Sequence, residues 1–268
     1  MIDRGNYSVL GIPIRAVDYE AAVERILEAA KERRSFAVSA LAVHGLMTGV
    51  LDRHHRYRLN QFDMLVPDGQ PVRWALKWLY GVDLPDRVYG PTLMLKVCER
   101  AARYGLPIFL FGGTEPMLVK LRDNLCRKFP QLRIAGTRPS QFRQLSQEEA
   151  ERLAGEIRRS GAAITFVGLG CPRQEVWAYE FREWLEMPII AVGAAFAFHA
   201  GMLRQAPPAW QKRGLEWLFR LIQEPRRLWR RYVLLNPLYL LMLLAQRLGW
   251  WHIAADPQDR PPTKLLYG

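Results

Sequence analysis

The chain has 268 residues, half of them hydrophobic and 24% charged, with a formal net charge of +12. That mixture closes a sizeable core and is too apolar for a disordered chain, while three scattered cysteines (Cys98, Cys126, Cys171) exclude a disulfide framework and point to a reducing compartment. The amino terminus has no apolar core of signal-peptide length, and no apolar run reaches the ~18–20 residues that span a bilayer, so a soluble or peripheral protein is expected.

In chain order, residues 7–12 and 36–43 read as short apolar strands on either side of a helix over 18–33. In that helix Val23, Ile26, Leu27 and Ala30 recur at helical spacing. A strand at 64–66 runs into Asp68-Gly69, and a helix carrying Trp74 and Trp78 follows. Pro91 opens the next helix and Gly105 stops it. The run 107–111 is a buried strand ending in Gly112-Gly113. Ser146 and Glu149 are spaced as a capping box, and 163–167 and 188–192 are two more strands, each running into glycine. Strands alternating with helices predict an α/β fold, a mainly parallel, Rossmann-like sheet with helices on both faces.

Ligands of such sheets gather at the carboxyl ends of the strands. The residues expected there are Ser39 and His44, Asp68 and Gly69, Gly112 and Gly113, Gly168 and Gly170, and Gly193. Small residues at these ends let backbone N–H groups approach a phosphate. Gly168-Leu169-Gly170 lacks the third glycine of a dinucleotide fingerprint, and no P-loop sequence occurs. Asp68 reads either as a turn or cap aspartate or as a general base, and Glu175 either as a first-turn helix charge or as a holder of a ligand hydroxyl. The five histidines have no metal-ligand spacing, and His54-His55 reads as a solvated face. With no Asp-x-Asp dyad, a transferase built on this chain is expected to work without a metal or other cofactor.

Beyond Gly201 helices take over. From Leu203 to Arg231 there are eight Lys/Arg and two Asp/Glu, so this piece carries +6 of the total charge. Such a concentration suits phosphate on a nucleotide, a lipid or a nucleic acid. Asn236-Pro237 is expected to start a final helix whose run 238–244 is wholly apolar. About thirteen residues reach only ~20 Å, which suits an interfacial helix on anionic lipid or a helix packed on the main domain. The division expected is an α/β domain over 1–201, an Arg/Trp-rich appendage with an apolar tail over 202–250, and a loose end over 251–268.

Several motifs occur together and in order. They are Asp68-Gly69-Gln70-Pro71, Arg87-Val-Tyr-Gly-Pro91, Phe111-Gly-Gly113, Val167-Gly-Leu-Gly-Cys-Pro-Arg-Gln-Glu175, Val192-Gly-Ala-Ala-Phe-Ala-Phe-His-Ala-Gly201 and Gly214-Leu-Glu-Trp-Leu-Phe-Arg220 with Glu224-Pro-Arg-Arg-Leu228. Together they resemble the WecG/TagA/CpsF glycosyltransferases, family 26, over about residues 7–232.

The resemblance implies inverting, metal-independent transfer of a sugar from a UDP-sugar to a polyprenyl-diphosphate-linked sugar in cell-surface polymer synthesis. N-acetylmannosamine-like sugars, glucose and uronic acids are all possible donors. It implies a peripheral protein on the cytoplasmic face of the plasma membrane, and self-association is compatible with the apolar tail. The family's proposed base maps onto Asp68, and its activity-linked arginine and glutamine map onto Arg87 and Gln174. Arg220, Arg227 and Arg230 or Arg231, with Arg213 less firmly matched, correspond to the arginines that the family's appendage supplies for the diphosphate. Ser39, His44, Gly69, Gly112, Gly113, Gly168, Gly170, Arg173, Glu175, Gly193 and His199 are the expected substrate-binding set.

Two positions depart from the family pattern. Ala42 stands where many members have asparagine, and Ala197 replaces the carboxylate of a Phe-Asp-Phe segment, so the donor is left open. Two rivals stand beside the transferase: a non-catalytic, membrane-docked scaffold of the same fold, and a basic nucleic-acid-binding protein. The second is disfavoured because the arginines adjoin a leucine tail rather than a nucleic-acid-binding pattern, so no nucleic-acid partner is expected.

Overall fold

The computed structural model describes residues 1–253 and 256–268, apart from the side chains of Arg227, Arg230 and Arg231. An antiparallel hairpin, β1 (Asp3–Val9) and β2 (Ile12–Val17), is followed by α1 (Tyr19–Lys31), β3 (Phe36–Leu41), α2 (Val43–Leu51), α3 (Arg53–Asn60), β4 (Met64–Pro67) and α4 (Gln70–Tyr80). Then come α5 (Gly90–Tyr104), β5 (Ile108–Phe111), α6 (Glu115–Lys128), β6 (Ile134–Arg138), α7 (Gln147–Arg159), β7 (Ile164–Val167), α8 (Arg173–Phe181), β8 (Pro188–Ala191) and the short α9 (Ala195–His199). The appendage consists of α10 (Pro208–Lys212), α11 (Glu216–Gln223) and α12 (Pro225–Arg247).

The eight strands form one sheet in the order β1-β2-β4-β3-β8-β7-β5-β6, parallel throughout except for the β1–β2 hairpin. Strand side chains alternate between two cores, because successive residues of a strand point to opposite faces. Ala37, Leu41, Leu65, Phe111 and Val167 enter one core, with α2, α4, α8 and α12. Val38, Met64, Val66, Leu110 and Phe166 enter the other, with α1, α5 and α6. Burial on both faces is why β4, β5 and β8 read as unbroken apolar runs and β7 as one interrupted by the buried Thr165.

The expected helix boundaries hold where a local signal sets them. Ser146 and Glu149 form the reciprocal capping box of α7, and Gly105, at φ 65°, ends α5 in the left-handed conformation. The hairpin is a correction to the single strand expected at 7–12. Leu10 and Gly11 both adopt positive φ, 54° and 83°, and turn the chain back on itself.

Asn236-Pro237 does not start a separate helix, since α12 runs through it. Proline removes the N–H that would reach Val233, but Val233 and Pro237 are both exposed, so water can satisfy the freed carbonyl. The end of the chain is not loose either. Leu266 is buried in the core, Leu145 N–H donates to the Leu266 carbonyl at 2.7 Å, and Gly268 N–H donates to the Arg143 carbonyl at 2.9 Å. Nor is His54-His55 a uniformly solvated face. His54 is half-buried, its Nδ1 3.0 Å from the Asp259 carbonyl, and His55 is buried, which pulls its imidazole down to about 4, the neutral form at pH 7.

Among the described residues no helix is long and apolar enough to cross a membrane. On α12 one face, with Tyr239 and Leu243, is buried on the main domain, while Leu240 and Leu241 on the other are 62% and 65% exposed. Tyr239 OH donates to the Pro71 carbonyl at 3.1 Å, and Gln246 links to the backbone of Ser8 and Leu10 at 2.8 and 2.9 Å. The appendage is therefore seated on the sheet domain beside α4.

Candidate active site

Asp68 leaves the carboxyl end of β4 one residue after Pro67, and Gly69 caps α4 behind it. The Asp68 N–H donates to the Leu41 carbonyl at 3.2 Å, and its carboxylate accepts the Gly90 N–H at 2.6 Å. The turn is thus fixed between β3 and the start of α5. Asp68 does not cap its own helix, since α4 has no side-chain cap. Its carboxylate instead lines a cavity of about 90 Å³ between the sheet and the appendage. The sheet side contributes Ala42, His44, Gly69, Gln70 and Arg87, and the appendage side Gly214, Glu216, Trp217, Arg220, Tyr232 and Asn236.

Burial pushes the Asp68 carboxyl up to about 6. Arg87, the Gly90 N–H and Arg220 pull against that rise, and Glu216 adds to it. Arg87 is itself buried, which works against its charge, yet Asp68 and Glu216 hold the guanidinium charged above its ordinary range. One Arg87 nitrogen, Nη2, donates to Glu216 at 2.6 Å and to Gln211 at 3.1 Å, and the guanidinium lies 4.2 Å from the centre of the Tyr89 ring. Arg220 Nε is buried with no hydrogen-bond partner, an unsatisfied cationic donor on the cavity wall. This is a carboxylate near neutrality beside two guanidiniums, which suits proton removal next to a diphosphate.

A second group lies under the adjoining strand ends. Ser39, fully buried on β3, donates to Glu175 at 2.9 Å, and Gln174 donates to the same Glu175 oxygen at 2.8 Å. Burial raises the Glu175 carboxyl. Gln174 Oε1 is buried without a partner and lies beside Gly193. Gly112 backs onto Gly168 so closely that a Cβ there would sit 2.8 Å from the Gly168 backbone, and at φ 112° only glycine is comfortable. Gly113 and Gly170 also take positive φ, 69° and 77°. Arg173, at the start of α8, stacks over Tyr267 at 5.7 Å and lines a tight crevice with Phe142 and Leu169.

Some expected residues are placed elsewhere. His199 is tied to the Pro91 carbonyl at 2.8 Å and to Asn124, between α5 and α6, and it does not line the cavity. Burial lowers its imidazole, keeping it neutral. Arg213 caps the end of α10 and is exposed. The side chains of Arg227, Arg230 and Arg231 lie outside the described residues. Sequence reasoning missed Glu216, Tyr89, Gln211 and Trp217. Only the resemblance pointed near them, because the partners of Glu216, Tyr89 and Gln211 are more than a hundred residues away along the chain.

Among the described residues there is no cluster of three or more His, Cys, Asp or Glu suited to a metal ion. A sequence model of the Glycosyl transferase WecG/TagA/CpsF family matches residues 7–252 of the 268, which takes in the sheet, the cavity and the appendage through α12.

Proposed function

Because the chain belongs to the WecG/TagA/CpsF family of glycosyltransferases, we propose that it moves a sugar from a UDP-sugar to a polyprenyl-diphosphate-linked sugar, with inversion and without a metal. The family places the chain in cell-surface polymer synthesis as an enzyme with a sugar donor and an acceptor. The observation that carries the finer reading is the Asp68 carboxyl, raised to about 6 and set between Arg87 and Arg220 in one cavity.

In this reading Asp68 takes the proton from the acceptor hydroxyl as the hydroxyl attacks the anomeric carbon. The bond to UDP breaks on the opposite face, which inverts the centre. Arg87, Arg220 and the other appendage arginines neutralise the charge that develops on the leaving diphosphate, the part a cation plays where an Asp-x-Asp motif holds one. The N–H groups of Gly113 and Gly170, with Gln174 and Arg173, are assigned to the donor; those of Gly112 and Gly168 already donate to the Arg138 and Phe111 carbonyls at 2.9 Å, so these two glycines serve by leaving the strand ends open. The net +6 of the appendage and the exposed Leu240, Leu241 and Trp250 support docking on an anionic membrane, the surface where a polyprenyl acceptor resides. Since α12 is seated on the domain by its other face, docking would bring the cavity to that surface.

The test is the pH dependence of UDP release. A base must be ionised to act, so kcat/KM should rise tenfold per unit below a midpoint near 6 and level off above it. A flat profile down to pH 4.5 would remove Asp68 from the base role.

A further inference from the structure

Glu216 is the first residue of α11, where a carboxylate ordinarily serves the free N–H groups of its own helix. Here both of its oxygens leave the helix. Oε2 accepts Arg87 Nη2 at 2.6 Å and Oε1 accepts Tyr89 OH at 2.9 Å, although these partners lie 129 and 127 residues away. Only 14% of the Glu216 side chain and 8% of the Arg87 side chain remain exposed. The Arg87 guanidinium also lies over the Tyr89 ring, so the three side chains form a closed triangle. The guanidinium cannot turn without breaking a charge-assisted bond, and Tyr89 cannot move without losing both its hydroxyl partner and its cation. The next residue, Gly90, supplies the N–H that holds Asp68. The short segment from Arg87 to Gly90 therefore carries at one end the grip of the appendage and at the other the grip on Asp68.

We infer that Glu216 is a positioning residue, through which seating of the appendage fixes Arg87 and the Arg87–Gly90 segment beside Asp68. This rests on the reading of Asp68 and Arg87 given above and deepens it, since it names the side chain that ties the appendage to the site. Glu216 acts through Arg87 and itself touches no reacting atom. The groups facing Asp68 are Arg87 and Tyr89 from the segment after α4, Glu216 and Arg220 from α11, and Tyr19 from α1, with His44 of α2 on the same cavity wall. Among these Glu216 is the other carboxylate, and its charge opposes ionisation of Asp68.

The experiment titrates Asp68 directly in the full chain in detergent. Aspartates are labelled with ¹³C at the carboxyl, and the Asp68 signal is identified by its absence in Asp68→Asn. In Glu216→Gln the lost opposing charge lowers the Asp68 midpoint, but release of Arg87, the stronger influence on it, raises it, so the midpoint should rise by about half a unit. In the same variant kcat should fall roughly 10–100-fold, the cost of a small misplacement, with the donor KM within about threefold. Glu216→Asp keeps the charge but shortens the reach and so releases Arg87, so its midpoint should rise further while kcat remains low. Gln246→Ala loosens the far end of the appendage and should leave the Asp68 midpoint where it is.

An unchanged midpoint and kcat in Glu216→Gln would overturn the inference, as would an equal midpoint shift in Gln246→Ala, which would assign the effect to seating in general. If the wild type turned over no donor, that failure would belong to the transferase reading, and the carboxyl titration would still decide the role of Glu216.

Discussion

Asp68→Asn is expected to lower turnover by about 10²–10⁴-fold, the range for loss of a general base. Asparagine has nearly the same shape, and its Oδ1 can still accept the Gly90 N–H that now reaches Asp68 at 2.6 Å. The β4 turn and the fold should therefore survive, and only the capacity to take a proton is lost. The charge balance adds a second expectation. Removing a carboxylate from beside Arg87 and Arg220 leaves both cations with less competition, so UDP should bind at least as tightly as before. Parallel measurement of UDP release and equilibrium UDP binding separates the two effects. Turnover above a few per cent of wild type would show that another group, or water, removes the proton.

Arg87→Ala should be the most damaging single change to the appendage contact, and it should harm stability and activity for different reasons. It strands the Glu216 carboxylate in a largely buried position, leaving it the hydrogen bond from Tyr89 OH at 2.9 Å. Breaking a buried pair from one side costs about 3–5 kcal/mol, mostly the penalty of the charge left behind. At about 2–4 °C per kcal/mol for a chain of this size, the melting midpoint should drop by roughly 6–20 °C. Arg87→Ala/Glu216→Ala removes the stranded charge together with its partner, so it should recover a large part of that loss in thermal melts. It should not recover turnover, because the cation beside Asp68 is still missing. A double variant no more stable than Arg87→Ala would mean that the pair is not the buried unit described here.

The sheet was legible because burial on both faces leaves a coarse signature. The runs Ile108–Phe111 and Pro188–Ala191 are apolar at every position, Ile164–Val167 at all but the buried Thr165, and glycines follow them. The edge strand Ile134–Arg138 left no such mark, because its residues are half-buried or exposed. Nor did α2, whose N-cap Ala42 makes no side-chain bond and whose residues Val43, Leu46, Met47 and Val50 read equally well as a continuation of β3. At Leu10 a non-glycine residue with positive φ hid the hairpin turn inside an apolar stretch.

Asp68 was legible as a candidate because a carboxylate after a strand and before Gly69 has few uses. Glu216 was not. In sequence it is one acidic residue among arginines, and its meaning comes from two side chains that the fold brings to it from before α5. The docked end of the chain escaped for a related reason. Leu266 and Tyr267 follow a proline-rich stretch with no periodicity, and only the exposed edge at Arg143–Leu145 gives them a place to pair.

The central claim is tested most directly by UDP release from the full-length protein in detergent and EDTA. A panel of UDP-sugars would be offered with a polyprenyl-diphosphate-linked N-acetylglucosamine acceptor, with UDP binding measured alongside. The account predicts release with one donor, dependent on the acceptor and on Asp68 and unaffected by EDTA. Silence across the panel together with no binding of UDP would contradict it, and would make the chain a non-catalytic relative on the same fold.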